Sequence, residues 1–176
     1  MEKEHTKNMS RIITWIGDVT FERTDKTLEK IRELMGKDPK KQIDMYVMCL
    51  GGAACYAHGF YDTIRLLKPN LVTIAAGNIS SAGVLIWLVG TQRYITRHTT
   101  CLFHQVAKRY EDEAMTETDI GTEKALLKSE RRNYNDIVAS ESCGSLGKKQ
   151  VFEMCRHQRV FGPRDLLKHG LAHKII

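Results

Sequence analysis

The feature that most constrains the fold is an alternation of short apolar runs with segments of helical periodicity. Apolar, often β-branched runs predict strands, whereas apolar residues that recur every three or four positions predict helices. Predicted strands and helices alternate in the order strand 11–16, helix 24–35, strand 43–49, helix 56–67, strand 71–76 and helix 84–89. Such alternation is typical of βαβ units with right-handed crossovers. The sequence therefore predicts an α/β fold with a largely parallel sheet.

The rest of the chain adds strands at 93–96 and 100–103, a helix at 148–155 and a terminal segment at 165–171. Between them, residues 115–141 are strongly polar and carry only a sparse apolar stripe. The stripe consists of Ile120, Leu126, Leu127, Tyr134, Ile137 and Val138. A stripe this thin predicts a long amphipathic helix that projects from the core and packs against a partner subunit.

Length and composition predict one domain over residues 1–176, with 1–10 as a flexible N-terminal segment. A chain of 20.1 kDa can bury a core, and 42% hydrophobic with 27% charged residues is ordinary for a globular domain. The longest apolar run, 84–89, is far too short to cross a bilayer. Residues 1–8 are polar and have no secretory or transit-peptide pattern. We therefore expect a cytoplasmic protein without a membrane partner.

Cysteine and charge patterns argue against a metal site and a nucleic-acid partner. The five cysteines are odd in number and form no C-x-x-C pair, so neither a disulfide framework nor a zinc site is predicted. The net charge of +6 includes isolated basic pairs, Lys40-Lys41 and Arg131-Arg132, without interleaved aromatic residues or a reading motif. We expect a solvated basic surface, with no metal, no cofactor and no nucleic acid.

A small-residue turn at 77–83 marks the candidate catalytic site. It places a serine at the start of the apolar helix 84–89, where helix N–H groups lie beside an exposed hydroxyl. Acyl transfer needs a nucleophile, a base and donors for the oxyanion. The predicted nucleophile is Ser81, the predicted base is His104, and the predicted donors are the backbone N–H groups of Gly51 and Ala82.

Short stretches spread over nearly the whole chain carry a family pattern in combination. They include Leu50-Gly51-Gly52, Gly77 to Gly83, Phe103-His104-Gln105, Tyr134-Asn135 and the ending at 168–175. Together they resemble the proteolytic subunits of the Clp protease, peptidase family S14, in the wider ClpP/crotonase superfamily. The resemblance implies an α/β, ClpP/crotonase-like ββα superhelix with a protruding strand and long helix, the handle, at about 107–141. It also implies the catalytic roles already predicted for Ser81, His104, Gly51 and Ala82.

The same resemblance implies an assembly and a substrate. Subunits of this family stack as two rings of seven around a chamber, so we expect self-association into stacked heptameric rings. An AAA+ unfoldase of the Clp type is the expected partner, and unfolded polypeptide is the expected substrate. No cofactor is implied for the peptidase chemistry.

Three departures from the family pattern affect the site. Counting back from Gly170-Leu171 without a gap places Gln158 where the family has the aspartate of its triad. Asp165 lies beyond that position and is predicted to cap the following helix. The family's proline after His-Gln is Val106, and its glycine-rich, substrate-pairing segment is replaced at 107–113. Gln158 is thus the third site residue, without the charge that would stabilise an imidazolium.

The missing carboxylate leaves alternatives open. The chain fits a serine endopeptidase of weak activity, or a non-catalytic ring or scaffold subunit. An acyl-CoA enzyme of the crotonase group is less favoured, because that group does not need the Ser81–His104 pair. Ser80 is the alternative nucleophile if the turn is shifted. Cys101 is not favoured, since strand alternation turns its side chain to the face opposite His104.

Overall fold

The computed structural model describes residues 9–108 and 114–176, and its strands and helices alternate in the predicted way. The described strands are β1 (Ile12–Ile16), β2 (Ile43–Cys49), β3 (Leu71–Ser80), β4 (Gln92–Ile95), β5 (Thr100–Leu102), β6 (Val160–Phe161) and β7 (Lys174–Ile175). The described helices are α1 (Phe21–Lys37), α2 (Ala54–Leu67), α3 (Ala82–Leu88), α4 (Glu117–Glu141), α5 (Lys148–Arg156) and α6 (Pro163–Lys168). The predicted α/β class is confirmed.

One mostly parallel sheet holds these strands. β1, β2, β3, β4 and β7 lie side by side in that order, and each pair is parallel. β5 runs parallel to the last part of β3, and β6 pairs antiparallel with β5. The sequence prediction lacked β6 and β7, because a strand of two residues is too short to show a periodicity.

β3 is longer than predicted and changes its neighbour along its length. Residues 72–75 pair with β4, whereas residues 78–80 pair with β5. Gly77 lies between the two parts with a φ of +76°, which a side chain would disfavour. The predicted strand ended at residue 76. The observed strand continues to Ser80, because β5 supplies hydrogen-bond partners for residues 78–80. The turn into α3 is confined to Ser81.

The core forms around α3 and the first two strands. All residues of Ala82–Leu88 are buried, which explains why this helix is apolar on every side. Trp15 of β1 packs edge-on against Phe60 of α2, with ring centroids 5.2 Å apart. Both side chains are fully buried, and each contributes roughly 2 kcal/mol through burial of apolar surface. This packing holds the carboxyl ends of the strands that carry the candidate site.

α4 is docked at its C-terminal end and projects at its N-terminal end. Thr116 caps it: the Thr116 hydroxyl accepts the Asp119 N–H, and the Asp119 carboxylate accepts the Thr116 N–H. Ile120 and Leu126 are 56% and 51% exposed, whereas Val138 is buried. The protruding long helix is thus confirmed, and its packing against a partner subunit stays a prediction.

A buried charge cluster anchors the docked end of α4. The Arg93 Nη1 donates to Glu141 Oε2 at 2.6 Å, and Arg65 and the Tyr61 hydroxyl both donate to Glu141 Oε1. The Arg93 side chain is only 5% exposed. Because removing one partner of a buried ion pair typically costs about 3–5 kcal/mol, this cluster ties α4 firmly to β4 and α2.

Residues 1–8 and 109–113 lie outside the described part of the chain. The flexible segment at 1–10 and the strand of the handle therefore stay predictions, as does the assignment of 1–176 to one domain. Within the described ranges, no helix combines the length and the apolar character needed to span a membrane.

Candidate active site

Ser81 occupies a strained position between β3 and α3. Its φ of 55° and ψ of −131° lie outside the regions that residues with a side chain normally adopt. Ser81 is the N-cap residue of α3, but its side chain makes no capping hydrogen bond. A conformation of this kind costs roughly 1–3 kcal/mol and persists only where the surrounding structure enforces it. The Ser81 side chain therefore does not cap the helix, which is the ordinary role of a serine at this position.

Two backbone N–H groups next to Ser81 have no acceptor. In the described part of the chain, no hydrogen bond uses the N–H of Gly51 or of Ala82, although both residues are buried. Gly51 lies directly against the serine, because a Cβ on Gly51 would be 2.9 Å from the Ser81 Cβ. Buried N–H groups are almost always paired. These two can hold the oxygen of a ligand.

Close backbone packing holds this part of the site in place. A Cβ on Gly83 would lie 2.3 Å from the Cys49 carbonyl oxygen, so α3 begins in contact with the end of β2. A Cβ on Gly52 would lie 2.5 Å from the Val19 carbonyl oxygen. No side chain fits at either glycine without a backbone shift. The loop after β2 and the start of α3 are consequently fixed relative to each other.

His104 follows β5, whose end is bonded to the serine turn. The Ser81 N–H donates to the Leu102 carbonyl at 3.2 Å. The half-buried His104 has its Nδ1 2.7 Å from the Gln105 carbonyl oxygen. A carbonyl only accepts, so Nδ1 donates in this contact, and in the neutral ring the lone pair is on Nε2. No hydrogen bond joins Ser81 to His104 among the described residues.

Gln158 lies at the end of α5, where the chain turns toward β6. The register pairs Leu102 with Val160, and the Phe103 N–H donates to the Arg159 carbonyl at 2.9 Å. Extended by one residue, this register puts Gln158 across from His104. The Gln158 side chain is exposed and forms no hydrogen bond within the described ranges, and its φ is 49°.

Asp165 does not supply the missing carboxylate. Its Oδ2 accepts the Gly162 N–H at 3.1 Å at the start of α6, so Asp165 takes part in capping that helix, but as its third residue and not as the N-cap residue predicted from the sequence. The hydrogen-bond partner of His104 is the Gln105 carbonyl, which carries no charge. An uncharged acceptor can orient an imidazole, but it stabilises an imidazolium less than a carboxylate does.

A cavity of about 680 Å³ brings together Gly51, Ser81, Ala82 and His104. Gln158 and the buried Ser80 are not among the residues that line it. The lining also includes Asp18, Glu130 and Tyr134, which sequence reasoning did not assign to the site. Asp18 could have been found, because it follows β1 at the same edge of the sheet. Glu130 lies on α4, far along the chain from Ser81, and no sequence pattern indicated that it would line the site.

Neither Cys101 nor Cys155 provides an alternative nucleophile in this region. Cys101 and Cys155 are buried, and burial raises the pKa of both thiols, that of Cys155 to about 12. A thiol must ionise to act as a nucleophile, so these two are inert at neutral pH. In the described ranges, no group of three or more His, Cys, Asp or Glu side chains could hold a metal ion.

Comparison with known proteins matches the chain to a family described as Clp protease, over residues 3–176. The ATP-dependent Clp protease proteolytic subunit 2 of Bifidobacterium longum (strain NCC 2705) is 25% identical over 167 residues, covering 93% of this chain and 78% of that protein. The subunit of the same name from Tropheryma whipplei (strain Twist) is 26% identical over 166 residues, covering 93% and 89%. The matched residues, 3–176, include every residue that lines the cavity.

Proposed function

The chain belongs to the Clp protease family, and on that premise we propose that it is a serine endopeptidase acting on unfolded polypeptides. The observation that carries the proposal is the pair of unpaired N–H groups, on Gly51 and Ala82, beside an uncapped and strained Ser81. Donors fixed in advance at the position of a developing oxyanion are usually the largest contribution to acyl-transfer catalysis. Their presence next to a half-buried serine that lines a cavity favours an acyl-enzyme mechanism.

In the proposed reaction, the Ser81 Oγ attacks the carbonyl carbon of the scissile peptide while His104 Nε2 takes the hydroxyl proton. The N–H groups of Gly51 and Ala82 hold the oxyanion of the tetrahedral intermediate. His104 then protonates the leaving amine, the C–N bond breaks, and an acyl-enzyme forms. Water, deprotonated by the same nitrogen, releases the acid and restores Ser81. The Ser81–His104 hydrogen bond forms when substrate binds, as catalytic hydrogen bonds often do.

The Gln105 carbonyl serves as a neutral orienting group for His104 in this proposal. It holds the proton on Nδ1, which leaves Nε2 free to act as the base. It carries no full negative charge, so the imidazolium that forms during the reaction is less well stabilised than in a triad with aspartate. Slow turnover is the expected result, and Gln158 is the position where a carboxylate would act.

For the assembly, we propose stacked heptameric rings that enclose a chamber, fed by an AAA+ unfoldase of the Clp type, in the cytoplasm. The exposed first half of α4, with Ile120 and Leu126 largely accessible, supports a contact between subunits. Light scattering on the purified chain at micromolar concentration should show a ring-sized mass. A monomeric mass would contradict the chamber.

A ring or scaffold subunit without activity is the second candidate. The neutral partner of His104 and the unpaired Gln158 side chain favour it. An activity-based fluorophosphonate probe separates the two candidates, because the proposed enzyme should label at Ser81 and lose the label in Ser81→Ala. Absence of labelling in an intact ring would favour the scaffold. Labelling that persists in Ser81→Ala would remove Ser81 as the nucleophile.

A further inference from the structure

Two carboxylates line the cavity that holds Ser81 and His104. Asp18 follows β1 and is exposed, and Glu130 lies on α4 and is half-buried. Neither carboxylate forms a salt bridge or a hydrogen bond among the described residues. Both negative charges are therefore available to a ligand in the cavity.

The position of Glu130 follows from the docking of α4. Glu130 and Tyr134 are four residues apart, so they lie on the same face of the helix, and both line the cavity. Tyr134 is only 4% exposed, which fixes that face against the core. The charge of Glu130 also raises the pKa of His58 on α2, against the larger lowering by burial. Glu130 thus lines the cavity from α4 and lies near enough to α2 for its charge to act on His58.

Positive charge in the cavity is already neutralised. Of the described lining residues, Lys108 is the only lysine or arginine, and its Nζ lies 2.5 Å from Glu123 Oε2. The whole chain has a net charge of +6, so the cavity has the opposite sign to the protein around it. A cation entering the cavity meets two unpaired carboxylates and one compensated lysine.

From this arrangement we propose that Glu130, assisted by Asp18, makes the site selective for polypeptides with a lysine or arginine side chain near the scissile bond. The inference rests on the proposed peptidase function and adds a substrate class to it. The four-carbon stem of lysine can lie along apolar lining such as Leu85 and Tyr134 while its ammonium reaches a carboxylate. Glu130 is then a specificity-determining residue that the sequence pattern did not reveal.

The test uses fluorogenic peptides that carry either lysine or acetyl-lysine at one of the three residues before the cleaved bond. Acetylation keeps the length of the side chain and removes its charge. We expect kcat/KM for the lysine peptide to exceed that for the acetylated peptide about three- to ten-fold, the range for a partly exposed charge pair. The ratio should fall toward one in Glu130→Gln, fall partly in Asp18→Asn, and shrink as salt rises.

Asp25→Asn is the matched control, because Asp25 is an exposed carboxylate on α1 and does not line the cavity. A ratio near one in the unaltered protein, or a ratio unchanged in Glu130→Gln and in the double variant with Asp18→Asn, would overturn the inference. Fluorophosphonate labelling of Ser81 shows separately whether the peptidase proposal holds. If labelling and cleavage both fail, anisotropy of the same two peptides with Ser81→Ala decides: equal affinities overturn the charge preference, and tighter binding of the lysine peptide supports it.

Discussion

The two halves of the candidate site are held by different means. The strained backbone of Ser81 is held in place by Gly51, which packs against it, and by the contact of Gly83 with β2. His104 is half-buried on an irregular segment after β5, and within residues 9–108 and 114–176 its ring bonds only to the carbonyl of the next residue. The nucleophile half depends on backbone packing, whereas the histidine half depends on a single neutral contact.

This difference indicates which proposed catalytic groups are positioned by the backbone and which depend on a side chain. In the proposed mechanism, oxyanion stabilisation comes from backbone N–H groups that the sheet and α3 position. It needs no side-chain functional group at residues 51 and 82, although residue 51 must be glycine, because a Cβ there would lie 2.9 Å from the Ser81 Cβ. Proton transfer depends on a side chain and on its charge partner, and here the partner is an uncharged carbonyl. We therefore expect changes at Ser81 and its packing to have large effects, and changes around His104 to be capable of raising activity.

The largest expected effect is that of Ser81→Ala. Removing the nucleophile should lower the turnover of a small fluorogenic peptide by about 10⁴-fold or more, as for other serine enzymes whose catalytic residues act as a unit. Turnover by the purified variant is measured beside Ser80→Ala, which changes a buried serine outside the cavity lining. Equal losses of turnover in the two variants would show that both substitutions act by disturbing the fold. That result would contradict a specific role for Ser81 in the nucleophile half of the site.

The packing of the nucleophile half is tested by Gly83→Ala. The added Cβ would lie 2.3 Å from the Cys49 carbonyl oxygen, so the free energy of unfolding should fall by about 3 kcal/mol. Gly59→Ala is the matched control, because a Cβ there meets nothing within 4 Å and the residue lies within α2. That variant should gain up to about 1 kcal/mol. Urea unfolding measures both, and similar midpoints for the two would disprove the close packing at Gly83.

The histidine half is tested by Gln158→Asp. If the strand register brings residue 158 across from His104, a carboxylate there should stabilise the imidazolium and raise peptide turnover about 10- to 100-fold. This is a part of the roughly 10⁴-fold effect known for a triad aspartate, because the shorter side chain has not been positioned for the ring. Gln158→Ala and His157→Asp are measured beside it. A gain only in His157→Asp would move the alignment by one residue, and no gain in intact rings would refute the degenerate triad.

The smallest expected effect is the pH dependence of stability, which must be separated from that of turnover. Burial lowers the pKa of His58 below its ordinary 6.5, and burial and Arg93 lower that of His173. The unfolded chain then binds more protons than the folded chain, so the unfolding free energy should fall as pH drops below about 6.5. Because both rings are partly exposed, the loss should stay under about 1 kcal/mol for each. Urea unfolding at pH 7.5 and 5.5 should show a smaller loss in His58→Gln than in His98→Gln, and equal losses would contradict the role of His58.

Local pattern alone was sufficient for most of the architecture. β2 was predicted with its observed bounds, and α2, α4 and α5 were predicted within a few residues. Each of these elements has the periodicity of its own type, and neighbouring glycines or a proline mark several of their ends. The small residues around Ser81 and the later His104 could also be read from the sequence as candidates. Their roles stay predictions, because a serine before an apolar helix more often serves as a cap.

Tertiary structure decided what no short window of sequence contains. The extension of β3 to Ser80 depends on pairing with β5. The register that would bring residue 158 opposite His104 depends on β6, a strand of two residues. The unpaired state of the Gly51 and Ala82 N–H groups is a property of the assembled backbone, since the sequence shows only that small residues stand there. Glu130 lines the cavity because α4 packs against α2 and α3. Contacts between residues far apart in the chain arise from tertiary packing, and local propensity does not predict them.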